Sequence, residues 1–156
     1  MAIALTLQQY LDEHGVTYDV LAHAPTLSSM RTAEASHVPG DCLAKAVVLK
    51  QEACYLLVVL PASHRLRLDD VTAWLNRHVE LATEQEIEAL FRDCARGAVP
   101  AIGAPYGMDM IVDDSIAMQP DVYFEGGDHA TLVHMTGAQF AQLTAGTQHG
   151  QFSRHN

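Results

Sequence analysis

Two parts of the sequence carry residue types suited to holding and polarising an acyl group. The first is Lys45, inside the apolar run LAKAVVLK, where a buried lysine is costly unless a polar or anionic group meets it. The second is the segment from Gly97 to Gly107, which holds three glycines and two prolines in eleven residues. Loops of this composition bring backbone N–H groups close to a ligand. Together they predict a pocket for a polar acyl group.

Each of these parts also has a structural interpretation. Strand alternation places Lys45 on one face with Val47 and Leu49, and an edge-strand lysine there would reach water and discourage aggregation. The loop is either a stiff connection between a helix and a strand or an oxyanion cradle of fixed N–H groups. It is not a phosphate-binding P-loop, because no Gly-Lys-Ser/Thr follows.

A third candidate is His129, which follows Gly126-Gly127-Asp128 where one strand gives way to the next. It is either a hydrogen-bonded structural residue or part of the pocket. The chain has nine histidines, but His129 and His134 should point to opposite faces of a strand, so we expect no metal and no other cofactor. Because no G-x-S-x-G elbow or catalytic cysteine signature occurs, any hydrolysis should proceed by direct attack of water.

The elements that must position these residues follow from local patterns. Two β-rich runs, Leu43 to Leu49 and Tyr55 to Leu60, predict a hairpin, and Thr83-x-x-Glu86 predicts a capping box at a helix start. The order of elements predicts one α/β (α+β) domain, a mixed sheet surrounded by helices, over residues 1–144. Residues 145–156 lack periodicity and are expected to be a mobile tail.

Composition narrows the class of protein. The chain has 156 residues, 49% of them hydrophobic and 18% charged, which indicates a globular domain. The net charge of −10 argues against broad electrostatic binding of nucleic acid, although a small basic site remains possible. No apolar run approaches the roughly 20 residues of a transmembrane helix, and no signal peptide is apparent. Three cysteines without C-x-x-C spacing favour a cytoplasmic location.

Four segments, taken in order, resemble the YbaK/EbsC family, the free-standing relatives of the editing domain of bacterial prolyl-tRNA synthetases. They are LAKAVVLK, YLLVVLPASHRLRLD, LATEQEIEALFRDCARGAVPAIGAPYGM and DVYFEGGDHATLVHMTGAQF. The resemblance covers roughly residues 20 to 143. It implies a compact α/β fold with a mostly antiparallel central sheet, and aminoacyl-tRNA deacylase activity that clears tRNA carrying the wrong small amino acid.

The resemblance also implies roles for particular residues. Lys45 matches the essential lysine, and the loop from Gly97 to Gly103 matches the substrate loop. His129 matches the histidine after the glycine pair, and Thr26 lies where relatives place a hydroxyl at the pocket mouth. The loop residues expected to contact the substrate are Ala98, Val99, Pro100, Ala101 and Ile102, with Ala104 as a further small wall.

The expected substrate is a small amino acid, alanine or serine, esterified to a proline tRNA, and a synthetase is a possible partner. Many relatives read GAVPPFG, whereas Ala101 and Ile102 precede Gly103 here, a difference that bears on pocket volume. Two other functions remain open at this stage. One is a non-catalytic module that binds an aminoacyl group, a nucleotide or a synthetase, and the other is a small acyl-ester hydrolase unrelated to tRNA.

Overall fold

The helices and strands alternate along the chain in a computed structural model that describes residues 3–24 and 29–156. The helices are α1 (Leu5–Glu13), α2 (Ser29–Ser36), α3 (Leu68–Leu75), α4 (Glu84–Leu90), α5 (Asp114–Ala117) and α6 (Gly137–Leu143), with a 3₁₀ turn at Ala104–Tyr106. The strands are β1 (Asp19–Ala22), β2 (Ala44–Gln51), β3 (Cys54–Pro61), β4 (His64–Leu66), β5 (Glu80–Leu81), β6 (Asp109–Asp113), β7 (Asp121–Glu125), β8 (Thr131–Thr136), β9 (Gln148–Gly150) and β10 (Ser153–His155).

Within the described residues, the strands form one mixed sheet and two smaller antiparallel ones. The five-stranded sheet has the order β5-β2-β3-β6-β9, in which β2 pairs antiparallel with β3 and β5, while β6 pairs parallel with β3 and β9. Strands β1, β8 and β7 form a second sheet, and β4 pairs with β10. The predicted α/β architecture of a mixed sheet with surrounding helices is therefore confirmed.

The β2–β3 hairpin separates two hydrophobic cores. The predicted hairpin is confirmed, and it reverses at Glu52, whose φ of 54° lies in the left-handed region. Val48 packs into the larger core beside Phe124, whereas Leu49 packs into the smaller core beside Val58. Side chains two or four residues apart in a strand share a face. Lys45, like Leu49, therefore leaves β2 on the side of the smaller core.

One edge of β2 is only partly covered. Strand β5 pairs with Leu49 and Lys50 alone, and near the start of β2 a single bridge joins Leu43 to Tyr123 of the second sheet. The carbonyl of Leu43 accepts a hydrogen bond from the N–H of Ala62, the residue after β3, so alternation turns the N–H and C=O of Ala46 toward the uncovered edge. The gap between these two contacts is where a cavity opens.

Residues 145–156 are not the unstructured tail that the sequence predicts. They contain β9 and β10, and the ring of Phe152 is fully buried in the smaller core. The buried carboxylate of Asp113 accepts hydrogen bonds from the N–H of Phe152 at 2.8 Å and from the hydroxyl of Ser153 at 3.0 Å. The two strands are only three residues long each, which is too short for a hydrophobic period to appear. The sequence pattern therefore does not predict this packing.

Among the residues that the structure describes, no helix combines the length and the apolar character needed to cross a bilayer.

Candidate active site

Lys45 is the half-buried lysine that the sequence singles out, and its ammonium has no carboxylate partner among the described residues. Its Nζ donates to the carbonyl oxygen of His64 at 2.6 Å. Burial lowers the pKa of Lys45 from its ordinary value, and the nearby Arg65 guanidinium lowers it further. The other lysine, Lys50, instead pairs with Glu86 at 2.9 Å. Lys45 therefore keeps two further N–H donors for a ligand.

A cavity of about 150 Å³ opens at the uncovered edge of β2, bordered by Lys45. Its walls come from β2, α2, α4, the start of the glycine-proline loop and the end of β7. They are formed by Thr32, Leu43, Ala44, Lys45, Ala46, Val48, Glu84, Ile87, Gly97, Val99 and Glu125. This volume lies below the roughly 300–1,000 Å³ of pockets for drug-sized ligands, so the cavity suits a small group.

The loop contributes Gly97 and Val99 to the cavity. Helix α4 leads into the loop, and the predicted capping box at its start is confirmed, since Thr83 and Glu86 exchange both bonds. Gly97 has a φ of 80°, a conformation that only glycine adopts at little cost. Neither the N–H of Gly97 nor that of Val99 donates to a group in the described part of the chain. These two amides are available to a ligand oxygen.

The rest of the loop does not line this cavity. Its residues from Ala98 to Gly103, Val99 apart, are buried, namely Ala98, Pro100, Ala101, Ile102 and Gly103. Ala101 and Ile102 belong to the larger core, and Ile102 with Ala104 borders a different surface pocket. A Cβ on Gly103 would lie 2.7 Å from the carbonyl oxygen of Met108. Chain packing therefore accounts for Gly103, and the expected wall of small residues is not assembled here.

His129 packs directly against the loop. Its φ is 63°, and its Nε2 lies 2.6 Å from the carbonyl oxygen of Arg96, so Nε2 must carry a proton. A Cβ on Gly97 would lie only 2.9 Å from that same Nε2. The ring therefore fixes the start of the loop, and only a residue without a side chain fits at position 97.

Behind the cavity, His129 meets Glu125, a residue that the sequence analysis missed. The Glu125 carboxyl is 12% exposed and borders the cavity. Its Oε1 lies 3.1 Å from Nε2 of the fully buried His23, and its Oε2 lies 3.4 Å from Nδ1 of His129. Burial raises the pKa of Glu125 from its ordinary value, although the hydrogen bond with His23 opposes the shift.

Proton positions in this cluster can be counted from the fixed acceptors at its two ends. Nδ1 of His23 lies 2.8 Å from the carbonyl of Ala24, so it also carries a proton. The 3.1 Å contact between His23 and Glu125 holds one shared proton. The 3.4 Å gap has no hydrogen-bond geometry, and Nδ1 of His129 is buried without a hydrogen-bond partner among the described residues. Oε2 of Glu125 and Nδ1 of His129 therefore face each other without a hydrogen bond between them.

Glu125 and His23 gave no distinct signal in the sequence. In β7, Val122 and Phe124 are buried, and alternation turns Tyr123 and Glu125 to the opposite side. Glu125 is enclosed because His129 and His23, the latter about a hundred residues earlier, pack against it. The expected contact at Thr26 lies outside the described residues. Within those residues, no group of three or more histidine, cysteine or acidic side chains is arranged to hold a metal ion.

Comparison with known proteins places this chain in a defined family. A model of the aminoacyl-tRNA editing domain matches residues 23–143. The chain belongs to the aminoacyl-tRNA editing domain family. This assignment confirms the resemblance to the editing domain of prolyl-tRNA synthetases that the four sequence segments indicated.

Solved structures agree on the fold. The hypothetical protein APE2540 superposes with a TM-score of 0.84 at 21% identity, over 96% of this chain and 99% of that one. A protein described as a "putative trans-editing enzyme for prolyl tRNA synthetase" superposes with a TM-score of 0.83 at 23% identity, over 96% of this chain and 95% of that one. No curated protein matches the chain.

Proposed function

We propose that this protein is a hydrolase that removes a wrongly attached amino acid from tRNA, acting in trans on the free aminoacyl-tRNA. The observation that carries the proposal is the small cavity that Lys45, Gly97, Val99 and Glu125 border together. Membership of the aminoacyl-tRNA editing family supplies the substrate class. The similar trans-editing protein supports an action separate from the synthetase, with a synthetase as a possible partner.

The reaction is the hydrolysis of an ester that is already activated. Water attacks the carbonyl carbon, the bond to the ribose oxygen breaks, and that oxygen leaves with a proton, giving a free amino acid and a free tRNA hydroxyl. The N–H groups of Gly97 and Val99, with that of Ala46 at the strand edge, are suited to hold the carbonyl oxygen as it becomes an oxyanion. Lys45 anchors the terminal adenosine through its phosphate or the ester carbonyl. A free ribose hydroxyl positions the water.

Glu125 supplies a binding place for the α-ammonium group of the aminoacyl ester. Its carboxyl group borders the cavity and can accept a hydrogen bond from an ammonium there, while His129 packs behind it. The negative charge of an ionised Glu125 strengthens such a bond. Glu125 is therefore a substrate-binding residue in this proposal, beside His129, which also shapes the loop.

The cavity volume supports a small amino acid, and alanine or serine on a proline tRNA remains the proposed substrate. Val99 and Ile87 are the apolar walls that limit the side chain, rather than the deeper Ala101 and Ile102. One extra methylene changes binding by only about 1–3 kcal/mol, so discrimination among small amino acids is graded. The proposed location is the cytoplasm, in keeping with three free cysteines.

The deciding experiment is deacylation of a panel of mischarged tRNAs by the wild-type protein. The panel pairs alanine, serine, valine and leucine with proline tRNA and with one unrelated tRNA. Fast release of alanine or serine supports the proposal, and release of bulky amino acids alone contradicts the size assignment. If no amino acid is released from any tRNA, the protein is a binding module rather than an enzyme.

The strongly acidic chain favours a second function, the hydrolysis of small acyl esters. This function predicts turnover of minimal esters without any benefit from tRNA.

A further inference from the structure

We propose that a groove lined by three arginines binds the phosphodiester backbone at the acceptor end of tRNA and guides the ester toward Lys45. This inference rests on the proposed function, and it concerns a surface outside the cavity. The groove has a volume of about 590 Å³. Its lining residues are Arg65, Leu66, Arg67, Leu68, Asp69, Arg154, His155 and Asn156.

The two-stranded ladder of β4 and β10 places like charges against each other. Arg65 and Arg154 are direct partners in its register, and both are exposed. Like charges at directly opposed positions destabilise a sheet. Arg67, at the start of α3, adds a third guanidinium, and its N–H donates to the carbonyl of Phe152 at 2.6 Å, which ties the two sides of the groove together. The fold thus holds a repulsive arrangement in place.

The charges of this groove are not neutralised within the protein. In the described part of the chain, the side chains of Arg65, Arg67 and Arg154 form no ion pair and no hydrogen bond. By contrast, Arg96 lies 3.2 Å from Glu84 and 3.8 Å from Glu88. The groove does contain the carboxylate of Asp69, in the first turn of α3. The three guanidinium groups outnumber the acidic side chains that line the groove, which leaves a net positive site for an anion.

The rest of the chain makes this site distinctive. Three of the nine lysines and arginines line this one groove, in a protein whose net charge is −10. Because the chain carries a strong net negative charge, a nucleic acid is favoured only where positive charge is concentrated locally. Guanidinium groups bind phosphate through paired N–H donors, which makes arginine the suitable side chain for this contact.

The groove is also connected to the cavity. The ammonium of Lys45 is bonded to the carbonyl of His64, and Arg65 is the next residue along β4. The same guanidinium helps to lower the pKa of Lys45, so the two charges are near neighbours. A tRNA end lying along β4 therefore places its terminal ester at Lys45 while its preceding phosphates occupy the arginine groove.

The test compares two double variants with the same change in charge. Arg67→Gln/Arg154→Gln neutralises the groove without touching Arg65, the neighbour of Lys45, whereas Arg77→Gln/Arg92→Gln removes two arginines that do not line it. Each protein is assayed on alanyl-tRNA and on the minimal substrate alanyl-adenosine, and binding of uncharged tRNA is measured by fluorescence anisotropy over a series of salt concentrations.

We expect the groove variant to raise the KM for alanyl-tRNA at least about tenfold, with kcat and the alanyl-adenosine rate unchanged. The slope of the logarithm of tRNA affinity against the logarithm of salt concentration should fall in magnitude by about 2, one for each lost phosphate contact. Equal weakening by the control variant, an unchanged tRNA affinity, or an equal loss on both substrates overturns the inference. If the wild-type protein binds tRNA through the groove but releases no amino acid, the proposed function fails and the docking surface stands.

Discussion

The cavity and the arginine groove are neighbours that differ in how their polar side chains are paired. In the cavity, Lys45 donates to His64, Glu125 shares a proton with His23, and His129 is held by a backbone carbonyl. In the groove, three arginines meet no partner within the described residues. The difference indicates that the cavity is preorganised for chemistry, whereas the groove depends on a ligand for its charge balance. Changes in the cavity should therefore alter kcat, and changes in the groove should alter KM for tRNA.

The largest expected effect on stability comes from Phe152, which supports the groove from below. Phe152→Ala removes a fully buried ring and should lower the free energy of unfolding by about 3–5 kcal/mol. Chemical denaturation followed by circular dichroism measures the change, with Met118→Ala as a control at an exposed apolar position. A loss below about 1 kcal/mol would show that residues 145–156 do not pack as described.

A second variant, Glu125→Gln, tests the cavity through the ammonium group. It should reduce kcat/KM for alanyl-tRNA by about 10- to 100-fold, because a charge-assisted hydrogen bond contributes roughly 1.5–3 kcal/mol. N-acetylalanyl-tRNA has no ammonium, so it should be a poor substrate for the wild-type protein and equally poor for the variant. Equal losses on the acetylated and free substrates would instead assign Glu125 a purely structural role.

The same variant should change how stability depends on pH. A carboxyl whose pKa is raised by folding stabilises the protein while it stays protonated, and this contribution is lost as pH rises from the ordinary value of 4.5 through the raised one. Glu125→Gln cannot ionise. The wild-type protein should therefore lose stability relative to the variant as the pH increases across that window. A constant difference between their unfolding free energies from pH 4 to pH 8 would contradict the burial argument.

Substitutions of Gly97 and Gly103 should separate an effect on activity from an effect on stability. Gly97→Ala introduces a Cβ beside Nε2 of His129 at a φ of 80°. We expect about a tenfold loss of activity and a decrease of about 1–2 kcal/mol in the free energy of unfolding. Gly103→Ala meets the carbonyl of Met108 and should lower stability by about 1–3 kcal/mol, while the folded fraction keeps its activity. Steady-state kinetics and thermal unfolding of both variants measure the split. Full activity of Gly97→Ala would exclude its amide from the cradle.

The smallest expected effect is a gain in stability. Arg65→Glu replaces a repulsive cross-strand pair with an attractive one opposite Arg154, which should add about 0.2–1 kcal/mol. The same change should weaken tRNA binding, because a negative charge then faces the phosphates. Thermal unfolding and tRNA titration of this single variant give both values. A variant that is less stable yet binds tRNA normally would contradict the description of the groove.

Local patterns predicted what depends on local structure. The β2–β3 hairpin and the Thr83–Glu86 capping box follow from residues close in sequence, and both are confirmed. Lys45 and Gly97 were predicted as partners and do border one cavity. The ordered segments were enough to identify the editing family, because their sequence order reflects a shared fold.

The rest depends on contacts between distant residues. Glu125 looks like a solvent-facing strand residue until His23 encloses it. Ala101 and Ile102 have the size expected of pocket walls, but the loop turns them into the core. The opposition of Arg65 and Arg154 exists only once β10 pairs with β4, and the sequence gives no signal for that pairing.

The central claim is that the cavity at Lys45 performs the hydrolysis, and one comparison of lysines tests it most directly. Single-turnover deacylation of alanyl-tRNA is measured for the wild-type protein, Lys45→Ala and Lys50→Ala. Lys50 lies on the same strand but pairs with Glu86, so its removal should leave the rate unchanged. Lys45→Ala should fold, lose only about 1 kcal/mol of stability with its bond to His64, and react at least about 100-fold more slowly. A folded Lys45→Ala protein that deacylates at the wild-type rate would contradict the account.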